Sequence, residues 1–510
     1  MILSDVVRHS SRLYADRTAI SSSTGTLTHR QFEASCQALG QALLGLGLRP
    51  GDRVALLDFN TPVYCLAHFG LPGCGLVFIP LNHRLAPAEV VDILADAQAR
   101  ALMYSPAFEA TVEEMRPRLS LVRHFIRTGP GGNDPDLDFL MGRVKPPLEI
   151  PRPAETDLGH LLYTSGTTGK PKGVMLSQAN STATIASLLV EWGLTPQDVG
   201  LMVAPLFHVA ACHSFMALIA RGCAVHLLPG FNPAETLAAI QEKKVSFCLL
   251  VPAMIAALLN LPGQEKFDLS SLRTVIYAGA PMPEELLKAA LNRFGNVFAQ
   301  VYGLTETSAL TCLPKEAHQL PGVLTSAGRQ MFGTEVLVVD DQGREAEPGQ
   351  IGEVVARGGN VTSGYWRAEE ETAQVLKEGW FHTGDMAYGD DQGYIFLKDR
   401  KKEMIVSGGE NVYPVEVENV LHKIPAVQEA AVIGVPDPKW GEKVLALVHL
   451  RPGQEISPQD ILDFCSQRLA GYKCPKVIEF TGPLPRTSSG KIHKKVLRDK
   501  YWAGQDRAIH

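Results

Sequence analysis

The chain has 510 residues and a formal net charge of -6, with 48 Lys and Arg against 54 Asp and Glu. At about 100–200 residues per domain, this length predicts several globular units with a sizeable core. With 45% hydrophobic and 20% charged residues, the composition excludes a disordered chain, and the nearly balanced charge gives no sign of a nucleic-acid-binding surface.

The nine cysteines form no C-x-x-C pair, which argues against zinc or iron–sulfur sites and fits reduced thiols. The amino-terminal sequence has charges at Asp5, Arg8 and Arg12 and no continuous apolar run, so a signal peptide is not expected. The longest apolar stretch, 247–261, contains Pro252 and predicts a buried strand followed by a core helix. These features predict a cytoplasmic protein without integral membrane association.

Short apolar runs alternate with helical periods over the first 300 residues. Thr61 and Pro62 are typical of the first positions of a helix, as cap and first turn. The predicted strands are 54–57, 75–80, 101–104, 160–163, 200–204, 224–228, 247–251, 274–277 and 297–301, and the helices include 87–97, 233–243 and 283–294. Such alternation predicts parallel sheets covered on both faces, arranged as two doubly wound α/β halves, since single sheets rarely exceed about ten strands.

From about 322 to 398 the pattern becomes rich in strands and turns, which indicates a small β subdomain. A charged, hinge-like stretch follows at 399–403, and beyond it come a helix (414–422), strands (428–434 and 443–450) and a helix (458–469). The fold class expected is therefore α/β, with a large body over 1–400 and a smaller α+β domain over 401–510.

The segment 161–173, LLYTSGTTGKPKG, is the most informative in the chain. Three glycines, several hydroxyls and two lysines follow a strand, a composition that lets backbone amides converge on phosphate oxygens. A solvated loop is the plain alternative. A P-loop is excluded by spacing, because Thr164 stands where its first glycine should be and Pro171 follows Lys170.

This loop resembles the phosphate loop of the adenylate-forming superfamily, which includes acyl-CoA synthetases, adenylation domains of peptide synthetases and beetle luciferases. Four further motifs resemble that family in the same order: YGLTE at 302–306, WFHTGD at 380–385, KDRKK at 398–402 and PRTSSGK at 485–491. The resemblance implies two steps. A carboxylate attacks the α-phosphate of ATP with release of pyrophosphate, and a thiol, usually that of coenzyme A, then displaces AMP.

The resemblance implies a role for each matched residue. Lys491 would neutralise charge in the adenylation step, although a solvated lysine in a basic tail with Lys494, Lys495 and Lys500 is the alternative. Glu306 and Thr164 would hold Mg²⁺ against the phosphates. The residues expected at the catalytic, nucleotide and coenzyme A sites are Thr164, Ser165, Gly166, Thr167, Thr168, Gly169, Lys172, His208, Gly279, Ala280, Pro281, Gln300, Tyr302, Gly303, Thr305, Glu306, Asp385, Arg400, Lys402, Gly408, Gly409, Trp440, Tyr472, Lys476 and Lys491.

Within this set, Tyr302 would lie against adenine, and Asp385 with Arg400 would bind the ribose. The small carboxy-terminal domain would be mobile and rotate between the two steps, with either Asp399 or Lys402 as pivot. Gly408 and Gly409 would then let the backbone pass close to the pantetheine arm.

The acid substrate is less constrained by sequence. His208 would lie at the mouth of the acyl pocket, whose wall, with Gly279 and Gly303, is small and apolar, and no Asp or Lys there would meet an α-amino group. A medium- or long-chain fatty acid is favoured by resemblance, and an aryl or cinnamate-type acid fits equally by composition. Loading of a separate carrier protein and a non-enzymatic nucleotide-binding regulator are further alternatives, and a homodimer is a possible assembly.

Overall fold

A computed structural model describes residues 1–143, 152–164, 171–280, 282–400, 403–407, 410–437, 440–487 and 491–502, without the side chain of Arg400. The helices in these ranges are α1 (Leu3–Tyr14), α2 (His29–Gly45), α3 (Pro62–Gly73), α4 (Pro87–Asp96), α5 (Glu109–Met115), α6 (Leu137–Arg143), α7 (Gln178–Trp192), α8 (Val209–Arg221), α9 (Pro233–Lys243), α10 (Pro252–Leu259), α11 (Glu284–Phe294), α12 (Glu369–Val375), α13 (Pro414–Leu421), α14 (Pro458–Ser466) and α15 (Lys494–Asp499).

The strands in these ranges are β1 (Thr18–Ser22), β2 (Gly25–Thr28), β3 (Arg53–Leu57), β4 (Val77–Pro80), β5 (Ala101–Tyr104), β6 (His124–Arg127), β7 (Leu158–Thr164), β8 (Lys172–Ser177), β9 (Val199–Met202), β10 (Ala224–Leu227), β11 (Phe247–Leu250), β12 (Thr274–Ala278), β13 (Phe298–Tyr302), β14 (Thr311–Leu313), β15 (Arg329–Gln330), β16 (Thr334–Val339), β17 (Gly352–Gly358), β18 (Leu376–Lys377), β19 (Trp380–Gly389), β20 (Ile395–Arg400), β21 (Ile405–Ser407), β22 (Glu410–Val412), β23 (Val427–Asp437), β24 (Gly441–Leu450) and β25 (Val477–Phe480).

Two large sheets form the body, as the alternating pattern predicts. The first has six strands in the order β6-β5-β3-β4-β7-β8, and the second has nine in the order β15-β14-β13-β12-β11-β9-β10-β1-β2. Their central strands are parallel and almost wholly buried because helices cover both faces. As the sequence predicts, Thr61 caps α3, its side chain accepting a hydrogen bond from the backbone of Tyr64.

The expectation of wholly parallel sheets is wrong at the sheet edges. β8 pairs antiparallel with β7, β2 with β1, and β14 with both β13 and β15. Short connections cause the difference for β1–β2, β7–β8 and β13–β14, since a parallel crossover requires a dozen or more residues, whereas β14 and β15 are joined by a longer segment.

Two smaller sheets follow along the chain. The first joins β16, β17, β19, β18 and β20, where the sequence predicts a β subdomain. The second joins β22, β21, β24, β23 and β25 and packs α13 and α14 around its own apolar core. In the described ranges no helix combines the length and apolar character needed to cross a bilayer.

Candidate functional site

A cleft of about 2410 Å³ gathers most of the predicted site residues that the structure describes. It is lined by Thr164, Lys172, His208, Gly279, Ala280, Gln300, Tyr302, Gly303, Thr305, Glu306, Asp385 and Lys491. These positions come from segments far apart in the sequence, so their meeting is a result of the fold.

Several predicted residues lie outside the described part of the chain. These are Ser165, Gly166, Thr167, Thr168, Gly169, Pro281, Lys402, Gly408 and Gly409, together with the side chain of Arg400. The phosphate loop is therefore seen only through its flanks, Thr164 at the end of β7 and Lys172 at the start of β8.

The carboxyl ends of the central strands supply one wall of the cleft, the usual location of a ligand site in an open α/β sheet. Gly279 follows β12 with φ +84°, a left-handed conformation that favours glycine. Gly303 follows β13, and a Cβ atom there would lie 1.8 Å from the carbonyl oxygen of Ser308. Both glycines are therefore required by the backbone path that forms this wall.

Tyr302 and Asp385 are directly joined. The Tyr302 hydroxyl donates a 2.7 Å hydrogen bond to Oδ2 of Asp385, which lies opposite Arg400 in the β19–β20 pairing. The backbone N–H of Asp385 donates to the Thr383 hydroxyl at 3.1 Å. The sequence assigns the two residues to base and ribose separately, whereas the structure links their side chains into one unit.

Glu306 is fixed by a residue that the motifs do not contain. The Tyr365 hydroxyl donates a 2.8 Å hydrogen bond to Oε1 of Glu306, and Nζ of Lys172 lies 5.4 Å from the centre of the Tyr365 ring. Lys172 is also 4.0 Å from Oε1 of Glu371. Tyr365 gives no signal in the sequence because its partners lie 59 and 193 positions earlier in the chain.

The donor set in this part of the cleft fits a hard cation. The carboxylate of Glu306 and the hydroxyl of Thr164 are oxygen ligands of the kind that Mg²⁺ takes alongside substrate phosphates. Tyr365 occupies one oxygen of Glu306 and leaves the other for a ligand.

His208 is the N-cap residue of α8 and has an unusual environment. Its Nε2 is buried and makes no hydrogen bond with the described residues. Burial, and after it the positive charges of Arg84 and Lys491, lower the pKa of His208 to about 4. The imidazole is therefore neutral at pH 7, and His208 lines the cleft.

Lys491 reaches this cleft from the carboxy-terminal part of the chain. Its backbone N–H donates to the Thr487 hydroxyl at 3.2 Å, and the Thr487 N–H donates to its carbonyl at 2.7 Å. These two contacts hold the backbone of Lys491 at the cleft. Lys491 contributes to the lowered pKa of His208, so the two side chains are close enough to interact electrostatically.

Lys494, which follows Lys491 in the basic stretch, has acidic partners. Its side chain is 10% exposed, with Nζ 2.9 Å from Oε1 of Glu418 and 3.7 Å from Oε2 of Glu403. Asp399 lies near the same charges and accepts a 3.0 Å hydrogen bond from the backbone of Val415. These four ionisable side chains, Asp399, Glu403, Glu418 and Lys494, are called the hinge cluster below.

The three residues assigned to coenzyme A are not among those that line the cleft. Trp440 is 42% and Tyr472 39% exposed, so neither is a core aromatic. Nζ of Lys476 donates to the carbonyl of Gly471 at 2.8 Å. Their role stays a prediction, as do the domain boundary at 400 and 401 and the mobility of the smaller domain.

Comparison with known proteins gives two family matches. Residues 7–366 match the family described as AMP-binding enzyme, and residues 416–491 match the AMP-binding enzyme C-terminal domain. Together these two matches include most of the cleft residues and end at Lys491.

Individual relatives extend over almost the whole chain. Feruloyl-CoA synthase from Amycolatopsis sp is 40% identical over 96% of this chain and 97% of its own length. The fatty acid–[acyl-carrier-protein] ligase ScoC from Streptomyces coeruleorubidus is 37% identical over 95% of this chain and 93% of its own. Among solved structures, ATP-bound MatB from Rhodopseudomonas palustris superposes with a TM-score of 0.89 at 28% identity, covering 98% of this chain and 99% of that one.

Proposed function

The chain belongs to the AMP-binding enzyme family and is an AMP-forming acid–thiol ligase, and we propose that the acid it activates is a medium- or long-chain fatty acid. In this reaction ATP and the acid form an acyl-adenylate with release of pyrophosphate, and coenzyme A then takes the acyl group with release of AMP. The observation that carries the adenylation chemistry is the presence of Lys491 in the same cleft as Thr164, Glu306 and Asp385, and the apolar lining of that cleft supports the choice of acid.

The adenylation step places negative charge on the α-phosphate, so a positioned cation should stabilise it most. The ammonium group of Lys491 would lie between the carboxylate and the phosphate, held by the backbone contacts of Thr487. Neutral His208 would orient the carboxylate or thiol without adding charge. Bound Mg²⁺, held by Glu306 and Thr164, would supply further neutralisation at the phosphates.

The apolar part of the cleft lining supports a fatty acid. It includes Tyr277 and Gly279, the α10 residues Ala253, Ala256 and Ala257, and Ala289 on α11. Ala253 and Ala289 are exposed, so this part of the lining reaches the protein surface. An alkyl chain that contacts this lining buries apolar surface at each methylene.

An aryl acid is the second candidate because a relative 40% identical to this chain is a feruloyl-CoA synthase. A panel of acids from acetate to palmitate, with benzoates and cinnamates, separates the two when scored by pyrophosphate release in the presence of coenzyme A. The highest kcat/KM on acids of eight or more carbons is expected. A maximum on cinnamates would replace the fatty acid with an aryl acid and leave the ligase chemistry intact.

The thiol acceptor needs its own test, since the relative ScoC is named for a carrier protein. With free coenzyme A as the only acceptor, the chain should form acyl-CoA and AMP together. Accumulation of acyl-adenylate until a carrier protein is added would contradict coenzyme A as the acceptor.

The first prediction concerns Lys491. Lys491→Ala should reduce acyl-adenylate formation by about 10²–10³-fold, since one preorganised charge partner is lost from the transition state. Acyl-CoA formation from supplied acyl-adenylate should stay near the wild-type rate. Lys495→Ala, which changes a neighbouring exposed lysine, is the control. Equal losses in both half-reactions would refute the assigned role.

A further inference from the structure

Behind the cleft, three polar side chains form a line that the motifs do not explain. The hydroxyl of Tyr277 lies 3.0 Å from Nε2 of His318 and 3.4 Å from the terminal amide atom of Gln300 that is assigned as Oε1. His318 Nδ1 in turn lies 3.0 Å from the carbonyl oxygen of Pro314. Tyr277 and His318 are buried, and Gln300 is half-buried and lines the cleft.

The direction of each hydrogen bond follows from the groups present. The carbonyl of Pro314 can only accept, so Nδ1 of His318 carries a proton and donates it. Burial lowers the pKa of His318, which keeps the ring neutral and leaves Nε2 as an acceptor. The single proton of the Tyr277 hydroxyl is therefore donated to His318.

This order determines the orientation of Gln300. With its proton given to His318, the Tyr277 oxygen can only accept from Gln300, so the NH₂ group must occupy the position assigned to Oε1 and the amide is inverted. The oxygen and nitrogen of a glutamine amide are told apart only by such hydrogen bonds. The other terminal atom, the carbonyl oxygen, has no partner among the described residues and is not enclosed, so it opens into the cleft.

Gln300 also lies where a nucleotide base would bind. Residues two apart on a strand share a face, so Gln300 and Tyr302 lie on the same side of β13. Tyr302 is joined to Asp385 on the other side of the cleft. A ligand that contacts Tyr302 with its base would therefore meet the amide of Gln300 at the edge of that base.

We propose that Tyr277 and His318 are positioning residues that hold the carbonyl oxygen of Gln300 towards the base of the bound nucleotide. The site then takes a purine with an amino group at ring position 6, as in ATP, and rejects one with an oxo group there, as in inosine triphosphate. This inference rests on the proposed function. The inference adds a physical reason for the selection of adenine, which depends on the side chains of Tyr277 and His318.

The test compares kcat/KM for ATP with that for inosine triphosphate, two substrates that differ at the atom in question. In His318→Leu, the Tyr277 hydroxyl loses its acceptor and turns to Gln300, whose amide inverts and presents NH₂ to the cleft. The ATP to inosine triphosphate ratio should fall about tenfold or more, because a donor then faces the amino group. Loss of packing alone would lower activity with both nucleotides and leave the ratio unchanged.

Tyr277→Phe is the second variant, and it is mild because it removes one hydroxyl. Gln300 is then free to take either orientation, so the ratio should fall by a smaller factor, roughly threefold. The double variant should behave like Tyr277→Phe, since the inversion needs the hydroxyl. Tyr104→Phe is the matched control, because that buried hydroxyl donates to Asp134 at 2.6 Å and Tyr104 does not line the cleft.

Three outcomes would overturn the proposal. An unchanged ratio in folded Tyr277→Phe and His318→Leu enzyme would do so, as would equal use of both nucleotides by the wild type. A hydroxyl group on the acid substrate could also donate a hydrogen bond to Gln300, so acids with and without a hydroxyl are compared in each variant. If the variants change only the preference between these two acids, Gln300 contacts the acid and not the base. Wild type that forms no acyl-CoA from ATP would instead overturn the proposed function.

Discussion

Two clusters of polar side chains support the cleft, one buried and neutral, the other partly buried and ionic. The first lies in the body and consists of His68, His160 and Cys212, whose nitrogen and sulfur atoms all lie within 4.8 Å of one another. It is called the histidine cluster. The second is the hinge cluster, Asp399, Glu403, Glu418 and Lys494, whose members all line the cleft.

The histidine cluster is neutral. Nδ1 of His68 lies 3.2 Å from Nε2 of His160 and 3.4 Å from the Cys212 sulfur, and its Nε2 lies 3.0 Å from the carbonyl of Leu206. Burial lowers the pKa of His68 to about 3 and raises that of the Cys212 thiol. The Leu206 contact fixes the backbone two residues before His208, which enters the cleft.

The hinge cluster is ionic. Three carboxyl groups surround one ammonium group, and this environment raises the pKa of Lys494 through Glu418, Asp399 and Glu403 despite burial. Burial raises the pKa of Asp399 to about 6. Asp399 lies on β20 of the body and Glu418 on α13, so these charges join the two parts of the chain.

This difference in charge determines how each cluster responds to a substitution. Neutral hydrogen bonds contribute a small net stability and tolerate apolar substitutes of similar shape. A buried ion group instead becomes strongly unfavourable when one partner is lost, which makes its geometry specific. The body thus fixes His208 with a cluster that is stable at neutral pH, and the connection between the two parts depends on charge pairing.

The largest effect expected is that of Lys494→Met. It removes the cation and leaves partly buried carboxylates without a partner, so unfolding of the carboxy-terminal part should become easier by about 3 kcal/mol. Chemical denaturation, followed by fluorescence of Trp440 and Trp502 in that part, measures the change. Lys495→Met is the matched control. Lys495 is half exposed and pairs only with Asp499 in the described residues, so about 0.5 kcal/mol is expected.

An equal and small effect of the two substitutions would show that the hinge cluster is not an ionic support. Lys494→Arg adds a second check. It keeps the charge but not the compact ammonium geometry, so it should retain part of the stability lost in Lys494→Met.

Removal of histidine side chains should have a smaller effect. His68→Leu loses the contacts to Leu206, His160 and Cys212 and should destabilise the body by about 2–3 kcal/mol. His160→Leu loses one contact, and its Nδ1 already lacks a partner in the described residues, so about 1 kcal/mol is expected. Denaturation of both variants measures the difference, and a larger loss for His160→Leu would contradict this view of the cluster.

The sequence predicts the motif residues well because phosphate loops and catalytic ends of strands combine residue types that few other structures require. Thr164, Glu306, Tyr302, Asp385 and Lys491 all reach one cleft. The alternating strands and helices also predict most elements of the body to within a few residues.

The partners of these residues could not be predicted. Tyr365, His318 and Glu418 are ordinary residues whose partners lie far away in the chain, so no local pattern marks them. The antiparallel strands at the sheet edges could not be predicted, because an apolar run of residues does not specify the direction of the strand beside it. The acidic partners of Lys494 could not be predicted either, because its neighbours in the sequence are basic.

The pH dependence of stability distinguishes the two clusters by sign. The pKa of Asp399 is raised from 3.8 to about 6, so its contribution to stability is present below pH 3.8 and is lost as the pH rises through 6. The pKa of His68 is lowered from 6.5 to about 3, so its contribution is present above pH 6.5 and is lost as the pH falls. Between pH 4.5 and 7, Asp399→Asn should therefore gain stability relative to wild type as the pH rises. His68→Leu should lose stability relative to wild type over the same pH range. Both changes should be on the order of 1–2 kcal/mol.

Denaturation at several pH values measures how the stability of each variant, relative to wild type, changes with pH. Changes of the same sign would mean that the two clusters do not differ in how they carry protons.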